Sequence, residues 1–141
     1  MAMRARSTRP AAGCLDGVCE PERTQGLSAP APKGDHLLVH LTGPGVFLGA
    51  EVTKQGGTSG ITFVSLDIDG RNVVNLSYAA ALNTGLTAAN PFGIVLLHGA
   101  GIQNLTIGFP VPLRYRSELR LSATVNEDGV AQLLANVVHG K

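Results

Sequence analysis

The chain has no tryptophan, two tyrosines and four phenylalanines. The aromatic side chains that stack bases among basic residues in single-strand nucleic-acid binders are therefore missing. No run of about eighteen apolar residues occurs, so nothing reads as a membrane-spanning helix. No apolar stretch precedes residue 36, which leaves no core for a secretory leader, and a chain without signal peptide is expected. Net charge is +1 over 141 residues, too little to advertise nucleic acid or a membrane surface. The most informative absence is local. From Asn72 to Leu113 there is no Asp, Glu, Lys or Arg, where average usage of about 25% would place roughly ten. A domain of this size cannot bury so long a segment entirely, and interface cores are depleted in charge. Part of this segment is expected to face a partner.

What is present divides in two. Residues 1–35 are rich in Pro, Gly, Ala and Arg and carry few large apolar side chains (Leu15, Val18, Leu27), spaced too widely to build a core. Such a segment cannot offset its own ordering entropy, so 1–35 is expected to be an extended N-terminal arm held by something else. Arg4, Arg6 and Arg9 make its first thirteen residues basic, with no acid among them. They are candidate contacts to an acidic protein surface or to nucleic acid, although three charges are few and a solvated terminus accounts for them equally well. Cys14 and Cys19 are the two cysteines of the chain. Their C-x4-C spacing lacks the second Cys/His pair of a zinc site. Three readings stay open: free thiols, a small disulfide closing the loop between them, or cross-links to neighbouring subunits.

Residues 36–141 read as one β domain. His36–Thr42 is a strand closed by the turn Gly43-Pro44-Gly45, and Val46–Lys54 is a second. Ile61–Asp69 alternates, with Thr62, Val64, Leu66 and Ile68 on one face, and Asp69-Gly70 turns it into Arg71–Asn75. Residues 76–82 suit a short helix or an ordered loop. Strands resume at 93–98 and 102–109, and Pro110 and Pro112 mark an edge or crossing segment. Glu118–Val125 places Leu119, Leu121, Ala123 and Val125 inward, and Val130–His139 is the last strand. About eight strands with short turns predict an all-β fold: an antiparallel β-sandwich, jelly-roll-like, with an N-terminal arm.

No constellation of residues nominates a catalytic site, and neither a metal nor a cofactor is expected. His98-Gly99-Ala100-Gly101 resembles an oxyanion loop, but no G-x-S-x-G elbow accompanies it, and a hairpin turn explains it. Asp67-x-Asp69-Gly70-x-Asn72 starts like a calcium loop, yet Tyr78 occupies the twelfth position where a Glu is needed. His36 and His40 on one strand lie roughly 13 Å apart, too far for one ion. Asn75-Leu-Ser and Asn104-Leu-Thr are glycosylation sequons only in a secreted protein. The loops 55–60, 83–92 and 99–101, with Phe92 and Tyr78 as stacking candidates, are where a glycan would bind.

The order of the body's segments resembles the small β-sandwich virion structural proteins of tailed bacteriophages. The likeness rests on Gly45-Val46-Phe47-Leu48, on the Gly/Thr/Ser loop before ITFVSLDIDG, on the GFPVPL segment at residues 108–113 before SELRLSATVN, and on the closing ANVVHGK. It implies a non-enzymatic virion component, of the head-decoration, neck or fibre-associated type. Its partners would be further copies of itself, for instance in a trimer, and the major capsid or other virion proteins. The arm would then lie as a strap across neighbouring subunits. Two other functions are consistent with the residues: a glycan- or receptor-binding module, and a small jelly-roll capsid protein whose basic arm touches nucleic acid.

Overall fold

A computed structural model describes residues 14, 15 and 17–141. Arg4, Arg6 and Arg9 lie outside the described residues. In chain order the strands are β1 (Cys14–Leu15), β2 (Val18–Cys19), β3 (Glu22–Ser28), β4 (Gly34–Thr42), β5 (Gly45–Gly56), β6 (Thr62–Ile68) and β7 (Arg71–Ser77). A short helix α1 (Tyr78–Asn83) follows, then β8 (Ile94–Gly99), β9 (Ile102–Ile107), β10 (Leu113–Tyr115), β11 (Glu118–Val125) and β12 (Val130–Gly140).

The fold is an all-β antiparallel sandwich, and its pairing is nested. β3 pairs β12, β4 pairs β11, β5 pairs β9 and β6 pairs β7, all antiparallel. The chain thus runs as one long folded-back ribbon rolled into two sheets, ordered β3-β12-β5-β9-β8 and β4-β11-β6-β7. Without β8, this is the strand order of a jelly roll. β5 is the inner strand of the larger sheet. β12 pairs one of its edges from Val46 to Gly56, while β9 and β10 share the other.

The period-2 pattern decides which side chains enter the core. Thr62, Val64, Leu66 and Ile68 point inward from β6, and Leu119, Leu121, Ala123 and Val125 from β11, as their alternation predicts. They meet Val52, Leu105, Leu133, Ala135 and Val137 of the opposite sheet. Each fully buried Leu or Val is worth about 1.5–3 kcal/mol relative to exposure. α1 closes one open side. Ser77 caps it by accepting from Ala80 N at 3.0 Å, and Tyr78 and Ala81 are sealed beneath it. The Tyr78 hydroxyl donates to the Val52 carbonyl at 2.7 Å, so a phenol at the bottom of the core keeps its hydrogen bond.

One expectation needs correction. The boundary at residue 35 does not separate arm from body, because residues 22–28 form β3, an outer strand of the larger sheet registered against β12 from Glu22 to Ser28. The signal was weak because ERTQGLS lacks the bulky alternation of the other strands, and its register is supplied by β12. Gly26 shows how closely this strand sits. A Cβ there would enter the Leu38 carbonyl of β4, so the two sheets approach to backbone contact at this corner. Pro110 and Pro112 do interrupt pairing, and the chain resumes after them as β10, an edge strand along Gly45–Phe47.

If β3 is integral to the sandwich, Gly26→Val forces β3 off β4. It should lower the unfolding free energy by about 2–4 kcal/mol, read as a lower urea midpoint at unchanged m-value. A midpoint equal to that of the unsubstituted chain would return β3 to the arm.

Candidate functional site

Polar chemistry concentrates at the two ends of the sandwich. At one end Glu127, in the turn between β11 and β12, is buried and points at the loop that leaves β5. Its Oε1 accepts from the backbone N–H groups of Thr58, Ser59 and Gly60 at 2.8, 3.1 and 3.0 Å, and its Oε2 from the Thr62 hydroxyl at 2.6 Å. Lys54, 2% exposed, donates to Glu127 at 3.3 Å and to the Gly56 carbonyl at 3.0 Å, and its ammonium lies 5.4 Å from the centre of the Tyr78 ring. Burial pushes the Glu127 carboxyl up. The Thr62 hydroxyl, the Ser59 and Gly60 amides and the Lys54 charge outweigh it and bring the carboxyl down from 4.5 to about 2. Tyr78 is raised well above its ordinary range, first by burial and then by the charges of Glu51 and Glu127. A cleft of about 490 Å³ opens above this pair, lined by Gly56–Gly60, Leu82, Asn83, His98–Gly99 and Gly101–Gln103.

At the opposite end Asp69 takes the same role in the open. Its carboxylate accepts from the N–H groups of Arg116, Ser117 and Glu118 at 2.7–3.1 Å and from the Ser117 hydroxyl at 2.9 Å. Those backbone donors hold its acidity below the usual carboxylate range. An open groove of about 930 Å³ runs past it, between the Thr42–Gly45 turn and Arg114–Ser117. The β1–β2 hairpin docks at this end through paired backbone bonds of 2.6 Å between Cys19 and Lys141. Cys14 is joined to Cys19 by a disulfide, so of the three readings the structure takes the loop-closing one.

Between the ends, the two outward faces differ in charge. The four-stranded sheet presents Asp67, Arg120, Glu118 and His40, with His40 bonded to Glu118 at 2.8 Å. Across the six-stranded sheet the register builds two lateral rows, Leu27–Leu134–Thr53–Asn104–Leu97 and Gln25–Asn136–Glu51–Thr106–Val95. Glu51 is the one charge in these rows. It accepts from Asn136 and, at 2.6 and 2.8 Å, from Asn104 and Thr53, so its charge is spread into neutral neighbours. The charge-free segment supplies nearly all of β7, then α1, β8 and β9. β7 and β8 are outer strands on the same flank, with α1 packed against both. Of the large apolar side chains left exposed, Val73, Leu82, Phe92, Leu97, Ile102 and Val111 all belong to this segment.

The candidates from sequence separate accordingly. Loops 55–60 and 99–101 do converge on one cleft, with Asn83 as the contribution of 83–92. Tyr78 is no stacking platform, because it is fully buried, whereas Phe92 is 70% exposed. His36 is spent on structure, bonded to Ser28 Oγ at 2.9 Å and to the Pro32 carbonyl at 2.7 Å. His98–Gly101 is the β8–β9 hairpin turn. The Lys54–Glu127 pair was missed. One signal was available, since Lys54 follows Val52 by two residues and must therefore share its inward face.

No protein-family model matches the sequence, and no curated protein matches it. Among solved structures, the chain is similar to the infectious bursal disease virus Gx strain structure at 13% identity and TM-score 0.38, covering 94% of this chain and 42% of that one. It is also similar to the T=1 particles derived from that virus, at 17% identity and TM-score 0.34, covering 94% of this chain and 35% of that one. The catalytic domain of a GH87 alpha-1,3-glucanase in complex with nigerose stands at 9% identity and TM-score 0.34, covering 86% of this chain and 26% of that one. The chain thus spans less than half the length of each, and no residue role follows from them.

The buried pair generates a pH prediction. A carboxyl depressed in the folded state stabilises above its unfolded pKa, and that stability drains as pH falls from about 4.5 toward about 2. Glu127→Gln leaves Lys54 buried without its counter-charge and should cost about 3–5 kcal/mol at neutral pH. Urea titrations at pH 7 and pH 3 should also show a smaller acid loss in the variant than in the unsubstituted protein. Equal acid sensitivity would assign that loss to other carboxylates.

Proposed function

We propose that this protein is a non-enzymatic structural component that assembles with copies of itself, and that its place is in a virion, as a capsid decoration or cement protein. The observation that carries the reading is the neutral flank: β7 beyond Arg71, α1, the loop 84–93 and β8 expose apolar side chains with no charged residue among them. Soluble monomers seldom leave such a surface uncovered. The jelly-roll strand order is one that capsid and lectin domains share, which supports the virion assignment by analogy of fold. The resemblance of the body's segments to phage virion proteins points the same way.

A second reading is favoured by one observation, the convergence of loops 55–60 and 99–101 with Asn83 on the cleft above the Lys54–Glu127 pair. This suits a glycan or receptor ligand. It ranks lower because the cleft has no aromatic wall, and a glycan array would decide it.

Light scattering coupled to size exclusion should give a mass that is a small multiple of 14.6 kDa at micromolar concentration. Leu97→Glu, a charge placed on the neutral outer strand, should shift the population toward monomer by at least tenfold in dissociation constant. A monomer at about 100 μM for the unsubstituted chain would defeat self-assembly.

A further inference from the structure

We propose that the open groove at the Asp69 end binds a small oxyanion ligand, with Arg114 and Arg116 as its cationic wall and the Tyr115 hydroxyl as the donor on its floor. Charge is the first reason. Asp69 is the one acidic side chain among the residues that line the groove, against Arg114, Arg116 and Lys141. The Asp69 carboxylate is already taken by the N–H groups of Arg116, Ser117 and Glu118 and by the Ser117 hydroxyl, so it does not neutralise either guanidinium. Among the described residues, no carboxylate stands within ion-pair distance of Arg114 or Arg116. Guanidinium forks match the geometry of carboxylate, sulfate and phosphate oxygens.

Tyr115 is the second reason. It is 3% exposed, yet it lines the groove. A Cβ on Gly45 would collide with its hydroxyl and with the ring carbon that bears it, so the bare backbone of Gly45 is what lets the phenol reach this point. The Tyr78 hydroxyl is satisfied by the Val52 carbonyl, whereas among the described residues the Tyr115 hydroxyl has no hydrogen-bond partner. Buried phenols ordinarily have one, and the groove is the side from which it can come. Burial, and then the charge of Glu22, raise the acidity constant of Tyr115, so its hydroxyl stays protonated and donates at neutral pH.

The walls are fixed before any ligand arrives. Gly43 N donates to Ser117 O at 2.8 Å, which ties the β4–β5 turn to the segment that Asp69 holds. Lys141 is anchored by its paired backbone bonds to Cys19, and its ammonium lies 3.7 Å from Glu20. Glu20 and Glu22 line a smaller adjoining cavity, where Glu22 faces His139 at 3.6 Å. A preformed site loses little ordering entropy on binding. The volume of about 930 Å³ falls within the range of small-molecule sites, which sets the size of the ligand.

The test titrates the full chain, at low ionic strength, with inorganic phosphate, inorganic sulfate and glucuronate, and follows amide chemical shifts. At least one of the three should move the Gly43, Gly45 and Arg114–Ser117 resonances along a single saturating curve, with a dissociation constant of about 5 mM or tighter. The tighter of the inorganic anions and the sugar acid identifies the source of the oxyanion, and either upholds the site. Arg114→Gln with Arg116→Gln should weaken binding at least about tenfold. That pair leaves the Asp69 contacts intact, since they go to backbone N–H groups and to Ser117. Tyr115→Phe should weaken binding about threefold or more with the urea midpoint unchanged, because the hydroxyl it removes has no partner within the fold. Arg71→Gln, a cation outside the groove, should change nothing. Shifts confined to other residues, no saturation by about 50 mM, binding that survives the double substitution, or an equal loss in Arg71→Gln would each overturn the site. Binding that is unchanged in Tyr115→Phe would overturn the role of the hydroxyl.

Discussion

The nested pairing of the chain is the constraint on which the rest of the structure depends. β3 and β12 come from opposite ends of the sequence and share one ladder from Glu22–His139 to Ser28–Leu133. Once that pair and β4–β11 are set, β5 must fall between β12 and β9, and β6 between β11 and β7. The larger sheet therefore closes only when the last strand is in place. Non-local pairing of this kind carries a loop-closure cost before its contacts form. It also sends every connection to one of two ends, which is where Glu127, Asp69 and the clefts beside them lie.

Two carboxylates organise those ends by the same chemistry. Glu127 and Asp69 each collect backbone N–H donors from a connection that no ladder satisfies, Thr58–Gly60 in one case and Arg116–Glu118 in the other. Each oxygen replaces the water those amides would otherwise need. The difference between them is dielectric. Glu127 is enclosed and requires the Lys54 ammonium beside it, whereas Asp69 faces solvent and does without. With charge spent at the ends and on the four-stranded face, the flank of β7, α1 and β8 is left neutral.

Much of the body was legible because burial and alternation coincide. Thr62 to Ile68 and Leu119 to Val125 are inner faces of interior strands, where period-2 patterning is strongest. The short helix before Asn83 was legible as one of two options, since Ser77 is a good cap but six residues are too few for a clear period. β3 was not legible. A glycine where it crosses β4 and polar residues at its ends leave no apolar stripe, and its strand state comes from β12. The disulfide was equally open, because sequence gives the spacing of two cysteines and not their partner.

The all-β class, the inner faces of the interior strands and the long charge-free segment were all readable before folding, since each is a property of composition or of local periodicity. Three facts came from the folded chain: β7, α1 and β8 of this segment share a flank with Phe92 exposed beside Asn90, Lys54 meets Glu127, and Cys14 bonds Cys19. The last two join residues 73 and 5 positions apart in sequence, and the first sets exposure by what packs nearby. No local pattern encodes them, because the register that brings them together is fixed by long-range strand pairing.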